Sequence, residues 1–404
     1  MPDPDSSPPS KAVELRRGYP IAPPPATPSL VAILRNKIDH DGPLSFTDFM
    51  AAALYHPELG YYAREPRQVG RGGDFFTSVS VGPLFGELLA QRFLKEWKTL
   101  GSPERWRIIE CGAHDGTLAA DILGEISRLE PAAFSALEYV IPEPLPRLQA
   151  AQQETLAAFS GQTRFVSDIS GLFSEPLPGV AFGNELLDAL PFHVVEWRDG
   201  RWNECRVATN PAGDFIWETS HEISAPGLDD ALAVLGNDFA DGYRTEVRTN
   251  VRDFLAPLTR CLTSGLLVWP DYGFARPEYY QPDRRKGTLR TFSKHRAAED
   301  PLLDVGEIDI TAHVDFTAVA EAAITLGAVP ICFKNQGSWL TETGREWLLS
   351  LEGNPDAGLL RQFQTLTHPA HLGRSFHVIE LAWNQPGMEA TASVLHGLAI
   401  SARD

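Results

Sequence analysis

The chain has 404 residues, more than an ordinary single domain, so one large elaborated domain or two domains are expected. Apolar residues make up 43% and aromatics 10%, enough for a sizeable core, and the formal net charge is −18. That balance argues against non-specific binding to nucleic acid or anionic membrane, which both need basic surfaces, and no apolar run is long enough to span a bilayer. Cys111, Cys205, Cys261 and Cys332 are scattered without a Cys-x-x-Cys pair, so neither a disulfide framework nor a metal site is expected.

In chain order, residues 1–27 read as a disordered Pro/Ser-rich tail. It lacks the apolar core of a signal peptide, and Asp3 and Asp5 count against a mitochondrial presequence. A cytoplasmic protein is expected, mitochondrial only if the source is eukaryotic. From Ser29, the spacing of Leu30, Ile33, Leu34 and Ile38 predicts a helix ending near Gly42-Pro43. A second helix begins with Ser45 or Thr47 as its cap. An aromatic turn follows at 55–62, then a glycine loop at 70–73 leading into Asp74-Phe75-Phe76-Thr77-Ser78, then a strong helix at 83–97. Residues 28–100 are expected to form an N-terminal helical cap with a loop that covers the site.

Seven short apolar runs then alternate with helical stretches, at 106–112, 137–143, 163–169, 179–184, 265–271, 328–334 and 376–383. That alternation predicts an α/β fold with a doubly wound, mostly parallel seven-stranded sheet, its last two strands an antiparallel edge pair. The core spans 101–404. The gap after the fourth strand is too long for a simple crossover. It reads as an inserted β/α subdomain at 192–262, with strands at 193–198, 201–208 and 214–219, a hairpin at Asp199-Gly200 and helices at 226–236 and 244–263. Residues 274–314 read as a long loop excursion on the substrate side.

The most informative stretch is 106–124. An apolar strand ends in Glu110, a turn carries Gly112 and Gly116, and a helix follows. Such a turn lets a cofactor lie against the backbone, and the helix end offers free N–H groups. His114 stands where a middle glycine is usual. Ligands of open α/β sheets bind beyond the carboxyl ends of the strands. Those ends carry Glu110 and Gly112, Glu143, Asp168, Asn184 and Glu185, and Asp271. Any one of these acids alone reads equally well as a helix cap; the set points to a site. Glu143, 31 residues after Gly112, suits the two ribose hydroxyls of a nucleoside cofactor. The chain has no Gly-x-x-x-x-Gly-Lys motif, and an acidic site suits a cationic sulfonium better than a pyrophosphate.

Longer motifs run in order along the chain. They include Gly-Pro-Leu-Ser-Phe-Thr-Asp-Phe-Met at 42–50, Ala-Leu-Tyr-His-Pro-Glu-Leu-Gly-Tyr-Tyr at 53–62, Gly-Asp-Phe-Phe-Thr-Ser at 73–78 and Asn-Glu-Leu-Leu-Asp-Ala-Leu-Pro at 184–191. Asp-Tyr-Gly at 271–273, Gly-Thr-Leu-Arg at 287–290 and Asp-Ile-Thr-Ala-His-Val-Asp-Phe at 309–316 continue the series. In these the chain resembles the MidA family of adenosylmethionine-dependent methyltransferases over nearly all of residues 30–382. The resemblance implies a class I methyltransferase (Rossmann-like) core, S-adenosyl-L-methionine as cofactor and N-methylation of a protein arginine. It implies that Glu110, Gly112, His114, Gly116, Glu143, Asp168, Asn184, Thr77 and Ser78 serve the cofactor, and that Glu185, Asp188 and Asp74 are catalytic. A guanidinium acceptor would be clamped by such carboxylates, with Asp271 a second source and His193 or His313 as a proton acceptor. A protein substrate is implied, no nucleic acid or membrane, and a homodimer is allowed. His114 departs from the family pattern: its side chain either crowds the cofactor or turns away. A catalytically degenerate scaffold or assembly factor is therefore the alternative function, and small-molecule methylation a further one. Pro142 and Pro270 are expected at strand ends, where pairing has finished.

Overall fold

The computed structural model describes residues 29–64, 77–293, 296–298, 300–351 and 356–401. The 1–27 tail, the 70–73 loop and Asp74 lie outside the described residues. Two capped helices come first. In α1 (Leu30–Asp41) the Ser29 hydroxyl accepts the Ala32 N–H. In α2 (Phe46–Tyr55) Ser45 accepts the Asp48 N–H and donates to the Asp48 carboxylate, a reciprocal cap. Helix α3 (Leu84–Thr99) turns Leu84, Phe85, Leu88, Leu89, Phe93 and Trp97 inward at helical spacing.

The main sheet contains the seven expected strands. They are β1 (Trp106–Glu110), β2 (Leu137–Pro142), β3 (Thr163–Val166) and β4 (Leu177–Phe182), then, after an insert of four strands, β9 (Leu262–Phe274), β10 (Ala328–Asn335) and β11 (Phe376–Trp383). Their order is β10-β11-β9-β4-β1-β2-β3. Strand β11 is antiparallel to both neighbours, whereas the other pairs are parallel. It returns between β10 and β9, and the connection that leads to it from β10 carries helices at 336–343, 345–350, 357–367 and 372–375. One face is covered by α3 and α4 (Thr117–Leu129). The other is covered by α7 (Val251–Arg260) and α8 (Phe316–Thr325). Each face has its own buried cluster, the layering of a doubly wound fold.

The insert holds β5 (His193–Arg198), β6 (Arg201–Thr209), β7 (Phe215–Ser220) and β8 (Tyr243–Val247), with the short helix α6 (Leu228–Ala233) between the last two. The expected helix from 244 is thus a strand up to Val247, followed by α7. Tyr243, Thr245 and Val247 alternate with Arg244 and Glu246, a period of two that pairs with β5 from His193 to Trp197. Residues Leu44–Ser45 pair with β6, and Phe46, Phe49, Leu34 and Ile38 share one buried cluster with Phe192, Val194 and Val207. The N-terminal helices and the insert therefore close over a common core. The 274–314 excursion contributes a small sheet of Arg290–Ser293, Arg296–Ala298 and Asp309–Thr311.

Pro270 does not end its strand: β9 runs on to Phe274, and Pro270 lies opposite Val378. Its carbonyl accepts the Glu185 N–H on the β4 side, beyond the point where pairing with β4 stops at Val268. The missing N–H of Pro270 faces that same side, so no ladder bond is lost.

Candidate active site

Strand β1 is buried along its whole length and delivers the chain to a left-handed turn. Gly112, His114 and Gly116 have φ of +73°, +47° and +85°. At Gly112 a Cβ would stand 2.9 Å from the Leu186 side chain, and the φ of +73° itself favours glycine there. His114 takes a left-handed φ that glycine reaches more easily, at a strain of about 1–2 kcal/mol. Its side chain is 41% exposed, with Nδ1 3.7 Å from Asp115 Oδ1. Asp115 in turn accepts the Thr117 N–H at 3.0 Å and starts α4.

Two buried acids flank the turn. Glu110 accepts the Tyr139 hydroxyl at 2.6 Å, and burial pushes its carboxyl up to about 7. Glu143 follows β2; its Oε1 accepts the Leu145 N–H at 2.9 Å and its Oε2 accepts Gln152 Nε2 at 3.2 Å. Each oxygen keeps a lone pair for a ligand. Burial raises this carboxyl also. Gln152, on helix α5 (Pro146–Thr155), donates from the same Nε2 to the His114 carbonyl at 2.9 Å.

The turn after β4 is tighter still. Asp271 Oδ2 collects the N–H groups of Leu186, Leu187 and Asp188 at 3.0, 2.7 and 3.2 Å, and Oδ1 that of Tyr272 at 2.7 Å. Burial and the nearby Asp188 carboxylate push Asp271 up, while these N–H donors oppose them. Glu185, which precedes these amides, has a φ of +50°. Its Oε1 accepts Asn184 Nδ2 at 3.0 Å and the Ser78 N–H at 3.3 Å; its Oε2 accepts the Tyr272 hydroxyl at 2.8 Å. Burial raises Glu185 to about 7. Asp188 is 7% exposed, yet its Oδ1 has no hydrogen-bond partner among the described residues. Burial raises it to about 6, opposed by the Arg248 guanidinium. Asn184 Oδ1 is also buried without a partner among the described residues.

The expected site residues fall into two touching groups. Glu110, Gly112, His114, Gly116 and Glu143 surround the first turn; Ser78, Asn184, Glu185, Asp188 and Asp271 surround the second. Three expected residues form no hydrogen bond with either group among the described residues. Asp168 is exposed, and its carboxylate caps the turn at Ser170. Among the described residues Thr77 bonds to Ser80, through its N–H, hydroxyl and carbonyl. His193 is buried in the insert with Nδ1 2.9 Å from Glu204, where burial and this partner make it a structural residue rather than a proton acceptor. His313 lies nearer, its ring parallel to Tyr272 at 6.4 Å; burial and nearby arginines lower it to about 4, so it stays neutral.

Several residues of the site had no separate reading in the sequence. Tyr272 was visible only as the middle of Asp-Tyr-Gly. Gln336, whose Oε1 accepts the Ser78 hydroxyl at 3.1 Å, sits in the Asn-Gln-Gly run at 335–337. Gln152 and Arg248 belong to no motif. Their one signal is polarity at an inward-facing position, and it shows only once the fold is known.

A family model described as an S-adenosyl-L-methionine-dependent methyltransferase matches residues 88–333. Among curated relatives, the mitochondrial protein arginine methyltransferase NDUFAF7 homolog of Drosophila melanogaster is 28% identical over 87% of this chain and 84% of its own length. The Homo sapiens protein arginine methyltransferase NDUFAF7, also mitochondrial, is 26% identical over 89% of this chain and 85% of its own. A Burkholderia thailandensis protein solved with S-adenosyl-homocysteine bound superposes with a TM-score of 0.79 at 31% identity, covering 91% of this chain and 95% of that one. The mitochondrial relatives overturn the cytoplasmic placement expected from the N-terminal composition.

Proposed function

The chain belongs to the family of S-adenosyl-L-methionine-dependent methyltransferases, and we propose that the acceptor of its methyl group is an arginine side chain of a protein. S-adenosyl-L-methionine is its cofactor, and when bound it supplies an electrophilic methyl group. The residues at hand fit it. The turn holds Gly112 and Gly116 in left-handed conformations, α4 presents its N-terminus, and Glu143 retains free lone pairs. We assign Gly112, His114 and Gly116 to the turn beneath the cofactor, Glu143 to its ribose hydroxyls and Glu110 to its amino-acid end.

Asp188 carries the reading of the acceptor. A buried carboxylate oxygen without a partner is costly unless a donor arrives. A guanidinium offers paired N–H groups in a planar fork, the donor best matched to a carboxylate. Glu185 lies in the same turn, held by Asn184, Ser78 and Tyr272 so that its carboxylate cannot swing away. Orienting the acceptor nitrogen for in-line displacement is the main service such a site can give. The acceptor must also lose a proton, and carboxyls raised to about 7 and about 6 can hold one near neutral pH. Relatives named as protein arginine methyltransferases support the same acceptor.

The test is transfer of a tritiated methyl group from the labelled cofactor into a heat-treated protein extract, followed by acid hydrolysis and separation of the amino acids. Label recovered as methylarginine is the expected result. Label in another amino acid, or only in small molecules, would remove the arginine reading.

A further inference from the structure

Gly116 and His114 lie on one side of the cofactor turn, and helix α5 packs against that side. A Cβ on Gly116 would stand 3.4 Å from the Gln152 Cα. The Gln152 side chain is fully buried. Its Nε2 spends one hydrogen on the His114 carbonyl at 2.9 Å and the other on Glu143 Oε2 at 3.2 Å. No other side chain among the described residues bonds to both the left-handed turn and Glu143.

We infer that Gln152 is a positioning residue that holds the strained His114 peptide and the Glu143 carboxylate in one fixed arrangement. A glycine at 114 would reach φ +47° at little cost; histidine does not, and must be held there. The hydrogen bond to its carbonyl fixes the orientation of that peptide. The second hydrogen bond sets Glu143 relative to the same peptide, so one buried amide relates the floor of the turn to the acid beside it. Gln152 touches neither cofactor nor acceptor in this account; it acts through His114 and Glu143. Its role also explains how a histidine is kept at the middle position of the turn. The alternative is that Gln152 merely fills space in α5.

The inference rests on the cofactor site assigned above, and one set of titrations separates the two. Calorimetry of S-adenosyl-homocysteine with the parent full chain reports that site by itself. Gln152→Met keeps the volume and removes both donors. It is expected to weaken binding by about tenfold in the parent, but by only about threefold in the His114→Gly background, where the turn no longer needs holding and only the hold on Glu143 is lost. Equal losses in the two backgrounds would overturn the inference. A readout without cofactor is hydrogen exchange of the peptide spanning 111–117, expected to quicken by about tenfold in Gln152→Met; unchanged exchange would overturn it whether or not the parent binds. Should Gln152→Met fail to fold, as judged by thermal melting, Gln152→Asn retracts the amide by one methylene and is read in the same way.

Discussion

Glu185 is fixed by three donors while burial resists its charge. The two carboxyls of the site, Glu185 at about 7 and Asp188 at about 6, are raised above ordinary values, so each ionises only as pH rises through that range. Both must be charged to clamp a guanidinium. The rate of methyl transfer is therefore expected to fall as pH drops below about 7, with the limb in kcat/KM reporting the free enzyme. A bound guanidinium stabilises the carboxylates, so the corresponding limb in kcat is expected at lower pH. A pH profile in which both limbs coincide, or neither exists above pH 5, would count against the pair. The acids themselves were legible in the sequence, because a parallel sheet brings the last residue of each strand to the ligand side. The groups that tune them were not. Tyr272 reaches Glu185 across 87 residues, and Gln152 reaches His114 across 38, separations that no local pattern reports.

Arg248 follows β8 and ties two segments of the site together. Its guanidinium donates to the carbonyls of Asp188 at 2.6 Å, Leu190 at 3.2 Å, Ala312 at 2.7 Å and His313 at 2.7 Å, and it lies over the Phe192 ring at 5.1 Å. Five fixed donors in a plane can serve four carbonyls; an ammonium cannot. Arg248→Met strands those carbonyls and is expected to destabilise the protein by about 3 kcal/mol or more. Arg248→Lys should recover less than half of that. Thermal melting of the three proteins checks it, and equal melting temperatures would refute the role. The element was misread in the sequence for a definite reason. Residues 243–247 alternate as a strand, but they lead within four residues into the amphipathic helix α7, and the helical pattern absorbed them. The seven main strands escaped that fate because each is a short apolar run bounded by turn residues.

At the scale of the whole molecule, the two sheets meet where the acids are. The main sheet brings the glycine turn, Glu143 and the Asn184–Asp188 turn to one end. The insert supplies Arg248, and the segment closing the excursion supplies Ala312 and His313. The sheet and its insert could be anticipated from the alternation of apolar runs and the overlong gap after the fourth strand. The shared core of the first two helices with the inserted sheet could not, since Phe46 and Phe49 meet Phe192 and Phe215 only through tertiary contact.

The most direct check combines two measurements on Asp188→Asn. Substitution removes the charge that would meet a guanidinium but leaves the glycine turn and Glu143 in place. S-adenosyl-homocysteine binding should stay within about twofold of the parent, while methylarginine formation from labelled cofactor falls by about 100-fold or more. Methylarginine formed at the parent rate, with cofactor binding intact, would contradict the account.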